Sequence, residues 1–152
     1  RLGEAAKENQ ALYHIHLSEN ADEISTCRKR YGVSPVQHLD KLGLLGERVV
    51  AAHCVMIDDQ EIELLARRGV KVAHCQESNM KLASGTAPVV KMLNHGLCVG
   101  IGTDGSASNN DVDMFGEMNT VAKIHKVVRM DPTAMNAAAT LHAATMGGAA
   151  LL

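Results

Sequence analysis

The chain has 152 residues, with 15 Lys+Arg against 17 Asp+Glu, two tyrosines, one phenylalanine and eight histidines. That length suits one globular domain with a real core. The near-neutral balance, the absence of an arginine-rich run and the scarcity of rings that could stack on bases (Tyr13, Tyr31, Phe115) argue against a nucleic-acid binder.

No apolar run approaches the ~18 residues of a membrane-spanning helix. The opening RLGEAAKENQ does not read as a signal peptide. Cys27, Cys54, Cys75 and Cys98 have no C-x-x-C pairing and read as reduced thiols, so a cytoplasmic protein is expected.

In chain order, a unit recurs: an amphipathic helix, a glycine stop, then a short apolar run ending in a polar residue. EAAKENQ leads into LYHIHLS, and SPVQHLDKLGLLG leads into RVVAAHC. The clearest unit is DDQEIELLARRGVKVAHCQ. Asp58 is placed to cap its helix, with Glu61 at capping-box spacing. Ile62, Leu65 and Ala66 form its inward stripe, and Gly69 is a left-handed stop. TAPVVKMLNHG and LCVGIGTD repeat the pattern around Gly96. Four strands are expected, over residues 12–18, 48–54, 70–75 and 97–103. Short apolar strands separated by helices predict a parallel sheet covered by helices. After the fourth strand a long helix is expected, capped by Asn110 or Asp111, with Val112, Phe115, Met118, Ala122, His125 and Val128 at three- and four-residue steps. A last helical stretch follows Pro132.

The polar residues favour half of an eightfold βα barrel over a small doubly wound sheet. His16, His53, His74 and Asp104 all fall at or near the C-terminal ends of strands, the edge on which barrel active sites are built. His14 and His16 share a strand face and Glu19 follows in the loop, a pattern that suits a metal site or simply a polar strand end. His53 and His74, taken singly, read as structural histidines closing apolar strands. Asp104 ends a strand so apolar that it needs a partner, unless it is a turn residue before Gly105. Together, two histidines, an aspartate and a glutamate suit zinc-activated water chemistry. Nucleophilic readings are weaker. Cys54 and Cys75 each follow a histidine but point to the opposite face. Ser84, Ser106 and Ser108 sit in no G-x-S-x-G elbow, and GIGTDG lacks the spacing of a dinucleotide fingerprint and a Walker lysine. His38, His95, His125 and His142 fall on helices or helix ends and read as structural or surface residues.

HIHLSE, AAHC, AHCQESNMKLASGTAPV and VGIGTDGSASNNDVDMFGEM, in that order, resemble the amidohydrolase superfamily. The likeness is to its aminohydrolase branch, the 5-methylthioadenosine/S-adenosylhomocysteine deaminases and related chlorohydrolases. Gln76 stands where that family commonly has proline. The resemblance implies an α/β fold, the C-terminal half (strands five to eight) of a (β/α)8 barrel, with one divalent metal ion, usually zinc. It implies that His16 is a metal ligand at the end of the fifth strand and that Glu19 is the catalytic glutamate. His53 would orient the metal-bound water, and Asp104 would be both metal ligand and proton acceptor. Ser108 matches a position that can touch substrate, and His14 is expected just behind the ligands.

The family's first-strand H-x-H pair, the substrate-gripping residues of the first half-barrel and the small β-domain have no counterpart in these 152 residues. A half-barrel with open strand edges is not expected to be an active enzyme alone. The implied reaction is hydrolytic deamination of an adenosine-like small molecule, with no nucleic-acid or membrane partner and a homo-oligomeric parent. The alternatives are a guanine-type deaminase, a triazine chlorohydrolase, or a non-catalytic fragment.

Overall fold

A computed structural model describes residues 2–152. The chain runs α1 (Leu2–Glu8), β1 (Tyr13–Leu17), α2 (Ala21–Tyr31), α3 (Pro35–Lys41), β2 (Val49–His53), α4 (Asp59–Arg67) and β3 (Lys71–His74). It continues through α5 (Gln76–Lys81), α6 (Val89–Asn94), β4 (Val99–Ile101), α7 (Ser106–Asn109), α8 (Met114–Arg129) and α9 (Ala137–His142). A π-helical turn (Ala143–Gly147) leads into α10 (Gly148–Leu151).

All four expected strands are present, each trimmed by one or two residues at its ends. They form a parallel sheet in the order β1-β2-β3-β4. β2 (VVAAH) is buried along its whole length, as an internal parallel strand must be, and its Val and Ala side chains fit a sheet covered on both faces. One face carries Leu17, Val49, Ala51, Val72, Val99 and Ile101, which pack with Val36, Ile62, Leu65, Val89 and Met92 of the covering helices. The other face carries Val50 and Ala73, against which Leu151 of α10 packs. His16 pairs with Ala52 and Ala52 with Ala73, so His16 belongs to this second face.

Local signals set the helix ends. Asp58 caps α4 by accepting from the Glu61 amide at 2.9 Å, while Glu61 Oε2 accepts from the Asp58 amide at 3.0 Å. The other Glu61 oxygen accepts from the buried hydroxyl of Ser34, itself the cap of α3, so one carboxylate joins two helix starts. Gly69 stops α4 at φ +70°, where any larger residue is strained.

α8 departs from the expectation. Its cap is Asp113, which accepts from the Phe115 amide at 2.9 Å, and neither Asn110 nor Asp111. The buried face is Glu117, Val121 and His125, whereas Phe115 is 81% exposed and Val112 and Val128 are also exposed. The reason is polar: Glu117 accepts from the Glu77 amide at 3.0 Å and from Asn109 Nδ2 at 3.0 Å, which turns this face inward. Burial raises the Glu117 carboxyl despite these donors and the Gln76 backbone amide, which also lowers it. A proline at residue 76 would lack that amide.

His74 and His125 form a buried pair, Nε2 to Nε2 at 3.1 Å with ring centroids 5.1 Å apart. Burial is the main cause that pulls both rings below the usual histidine range, His74 to about 3 and His125 to about 4. His74 is thus a structural residue of the fold.

Two predictions follow for the folded full-length protein. A Cβ on Gly147 would lie 2.5 Å from the Val99 carbonyl oxygen, so Gly147→Ala should destabilise by roughly 1–3 kcal/mol, read as a lower urea midpoint with an unchanged slope. The paired histidines are neutral when folded and take up protons when unfolded below about pH 6.5. Stability from them is therefore complete above that pH and falls, by about 1.4 kcal/mol per ring per pH unit, as pH drops toward 4. The urea midpoint should fall between pH 7 and 5, and fall less in His125→Gln; equal midpoints at the two pH values would contradict the pairing.

Candidate metal centre and active site

The C-terminal ends of the strands form one rim, and the polar residues expected there meet on it. Ligand atoms of His16, His53 and Asp104 all lie within 4.8 Å of one another, and this is the only such group of three among the described residues. The His16 and His53 rings are 5.1 Å apart, tilted by 35°. His16 is exposed, His53 is buried and Asp104 is intermediate.

The backbone at this rim is unusual. Ser18, His53, Cys54 and Asp104 all have positive φ (+52°, +73°, +48° and +62°) although none is glycine. Such strain persists only where surroundings over-determine it, and it clusters at functional sites. The surroundings are visible. The Cys54 amide donates to the Leu17 carbonyl at 3.0 Å, the Met56 amide to the Ser18 carbonyl at 2.8 Å, and the Gly102 amide to the His74 carbonyl at 3.0 Å. Hydrogen bonds therefore tie the end of β1 to that of β2 and the end of β3 to that of β4.

Glu19 sits half-buried in the loop between β1 and α2. Glu23 holds that loop: its carboxylate accepts from the Ser18 amide at 2.8 Å and the Glu19 amide at 2.7 Å. Asn20 caps α2 by accepting from the Glu23 amide at 2.9 Å. The Glu19 carboxylate is near enough to the rim to help raise the Cys75 thiol.

Asp104 is held by hydroxyls. Ser78 Oγ and Ser108 Oγ each donate to Asp104 Oδ2 at 2.8 Å. Burial pushes the Asp104 carboxyl upward, but the two hydroxyls, the Gly105 amide and His53 outweigh it and hold the group below the usual carboxylate range. Asp104 is therefore anionic at neutral pH. Ser108 lies where the sequence places it, after β4, with its hydroxyl engaged by Asp104.

His53 Nδ1 lies 2.8 Å from Asn79 Oδ1, which leaves Nε2 as the free ring nitrogen. Two imidazoles and an anionic carboxylate are a donor set that zinc accepts, so the residues fit such an ion. His14 is exposed on β1 and lies outside the group of three.

The two buried thiols beside the rim histidines, Cys54 and Cys75, are poor nucleophiles. Burial, then Glu23 and Glu61, raise Cys54 above the ordinary thiol range; burial foremost pushes Cys75 up to about 12. Three residues of the rim escaped the sequence reading. Glu23 carried a readable signal, the N-x-x-E spacing of a capping box from Asn20. Ser78 and Asn79 carried none beyond their place in the S-N string, because their partners lie 26 residues away.

Similarity to known proteins agrees with this geometry. The Amidohydrolase family model matches residues 1–152. The 5-methylthioadenosine/S-adenosylhomocysteine deaminase of Syntrophobacter fumaroxidans is 53% identical over 152 residues, covering 100% of this chain and 35% of that protein. An adenosine deaminase structure from Xanthomonas campestris with bound zinc superposes with a TM-score of 0.95 at 46% identity, covering 98% of this chain and 34% of that one. The atrazine chlorohydrolase of Arthrobacter aurescens TC1, complexed with zinc, gives a TM-score of 0.91 at 31% identity, covering 99% and 33%. The chain thus spans about a third of the length of the relatives it matches. No helix among the described residues is long and apolar enough to cross a membrane. With its four parallel strands matching part of the barrel of these enzymes, the chain belongs to the amidohydrolase family.

Proposed function

We propose that these residues are the C-terminal half-barrel of a zinc-dependent deaminase acting on an adenosine-type nucleoside. The observation that carries this reading is the meeting of His16, His53 and Asp104 on one rim, with Glu19 in the adjoining loop. The 53% identity to a deaminase of such substrates supports the substrate class.

His16 and Asp104 would hold the ion, together with ligands from outside these residues. Bound zinc supplies Lewis-acid activation of a water at neutral pH. Asp104, anionic and fixed by two hydroxyls, would take a proton from that water as it adds to the amino-bearing ring carbon. Glu19 would donate its proton to the adjacent ring nitrogen, take up the second proton of the attacking water and relay it to the departing ammonia, and then be reprotonated by the proton that Asp104 took, the work of a general acid–base group. His53, with Nδ1 turned to Asn79, would accept a hydrogen bond from the attacking water through Nε2 and orient it for attack. Ser108, beside Asp104, lies where substrate would meet the rim.

The second reading is a triazine chlorohydrolase, favoured by the 0.91 TM-score to one. The lower identity, 31% against 53%, places it second. Ammonia against chloride release across adenosine-type and triazine substrates separates the two.

In the full-length protein, Glu19→Gln should lower kcat at least 10²-fold with little change in KM. Near wild-type deamination by this variant would overturn the role given to Glu19. Removing metal with a chelator should abolish activity and added zinc should restore it. The 152 residues expressed alone should turn over no substrate; turnover would contradict the need for the rest of the barrel.

A further inference from the structure

α5 is short, begins one residue after the Cys75 cap and lies beside the rim, yet two consecutive residues of its first turns are fully buried and polar. Ser78 and Asn79 each have 0% exposure. They reach different partners. Ser78 Oγ donates to Asp104 Oδ2 at 2.8 Å, and Asn79 Oδ1 lies 2.8 Å from His53 Nδ1. Neither contact caps the helix, since both partners are side chains of other elements rather than the first-turn amides of α5. Burying two polar side chains without structural need is costly, so the pairings themselves call for an account.

We infer that the Ser78–Asn79 pair is a positioning bracket that selects which atom of each site residue faces the reaction. An amide oxygen can only accept. Against it, His53 Nδ1 must carry the ring proton, and Nε2 is left with its lone pair toward the rim. Two hydroxyls converging on Asp104 Oδ2 saturate that oxygen and leave Oδ1 as the open one. One turn of helix thereby fixes a tautomer on β2 and a carboxylate orientation after β4. The strained backbone at His53 and Asp104, with φ of +73° and +62°, presents both side chains to this same turn.

The kinetic part of this inference rests on the proposed deaminase reading, but its structural part does not. The test uses the full-length protein with ¹⁵N-labelled histidine, the His53 signals being assigned by their loss in His53→Gln. In the metal-free wild type, at a pH where the ring is neutral, Nδ1 of His53 should resonate as a protonated, pyrrole-type nitrogen and Nε2 as a pyridine-type one. Asn79→Ala should lose this bias, while Asn79→Asp, which keeps an acceptor oxygen, should retain it. Ser78→Ala should weaken zinc binding, measured by chelator competition, by about 10- to 100-fold, the usual effect of removing a ligand's supporting partner. Asn79→Ala should lower kcat by a similar factor with KM nearly unchanged, and Asn79→Asp should recover most of that loss.

A pyridine-type Nδ1 in the wild type would overturn the inference. So would an unchanged tautomer in Asn79→Ala together with zinc affinity within twofold of wild type in Ser78→Ala. Because the tautomer and the zinc affinity are read without substrate, they judge the bracket even if no adenosine-type compound is turned over. Thermal melting of each variant separates a folding defect from a positioning one, since a merely structural pair would lower the melting point without altering the tautomer.

Discussion

The parallel register between β1 and β2, which sets His16 opposite Ala52 and Leu17 opposite His53, is the constraint on which the rest of the molecule depends. Side chains alternate along a strand, so a slip of one residue would turn His16 toward the covering helices and place Leu17 on the rim. The register is defended by burial. Leu17, Val49, Ala51 and Val72 must face the helix layer, and only one pairing puts all of them there. The same alternation leaves the opposite face to His16, Ala52 and Ala73, whose small neighbours give the histidine room.

Above that register, the rim is built from conformations the chain would not choose alone. Positive φ at Ser18, His53, Cys54 and Asp104 is unfavourable for each residue singly. The amide-to-carbonyl bonds between neighbouring strand ends and the Glu23 carboxylate over two loop amides make it stable in context. Stability is thereby concentrated in the sheet and its helix layer, while the rim stores strain and presents its polar atoms in fixed directions. The neutral His74–His125 pair extends this logic inward. It fills the interior behind the rim with two polar rings that remain uncharged at neutral pH.

Much of this was readable in the sequence, for reasons that are physical. The strands were legible because short apolar runs stop at polar residues, and α4 because Asp58 and Glu61 sit at the spacing of a capping box that then forms. The meeting of His16, His53 and Asp104 was legible because parallel strands place their C-terminal ends on one edge. The orientation of α8 was not. Apolar periodicity pointed to Phe115 and Val128, but the buried carboxylate of Glu117 finds three donors on the inward side, and that satisfaction outweighs two apolar side chains. Ser78 and Asn79 were illegible for another reason: their meaning lies wholly in partners contributed by other strands.

The central claim is that His16 and Asp104 grip one ion at the rim. Anomalous diffraction at the zinc edge from crystals of the full-length protein tests it most directly. The account predicts one strong peak about 2.0–2.2 Å from a His16 ring nitrogen and from Asp104 Oδ1. A fully loaded protein whose peak lies away from both residues would contradict it.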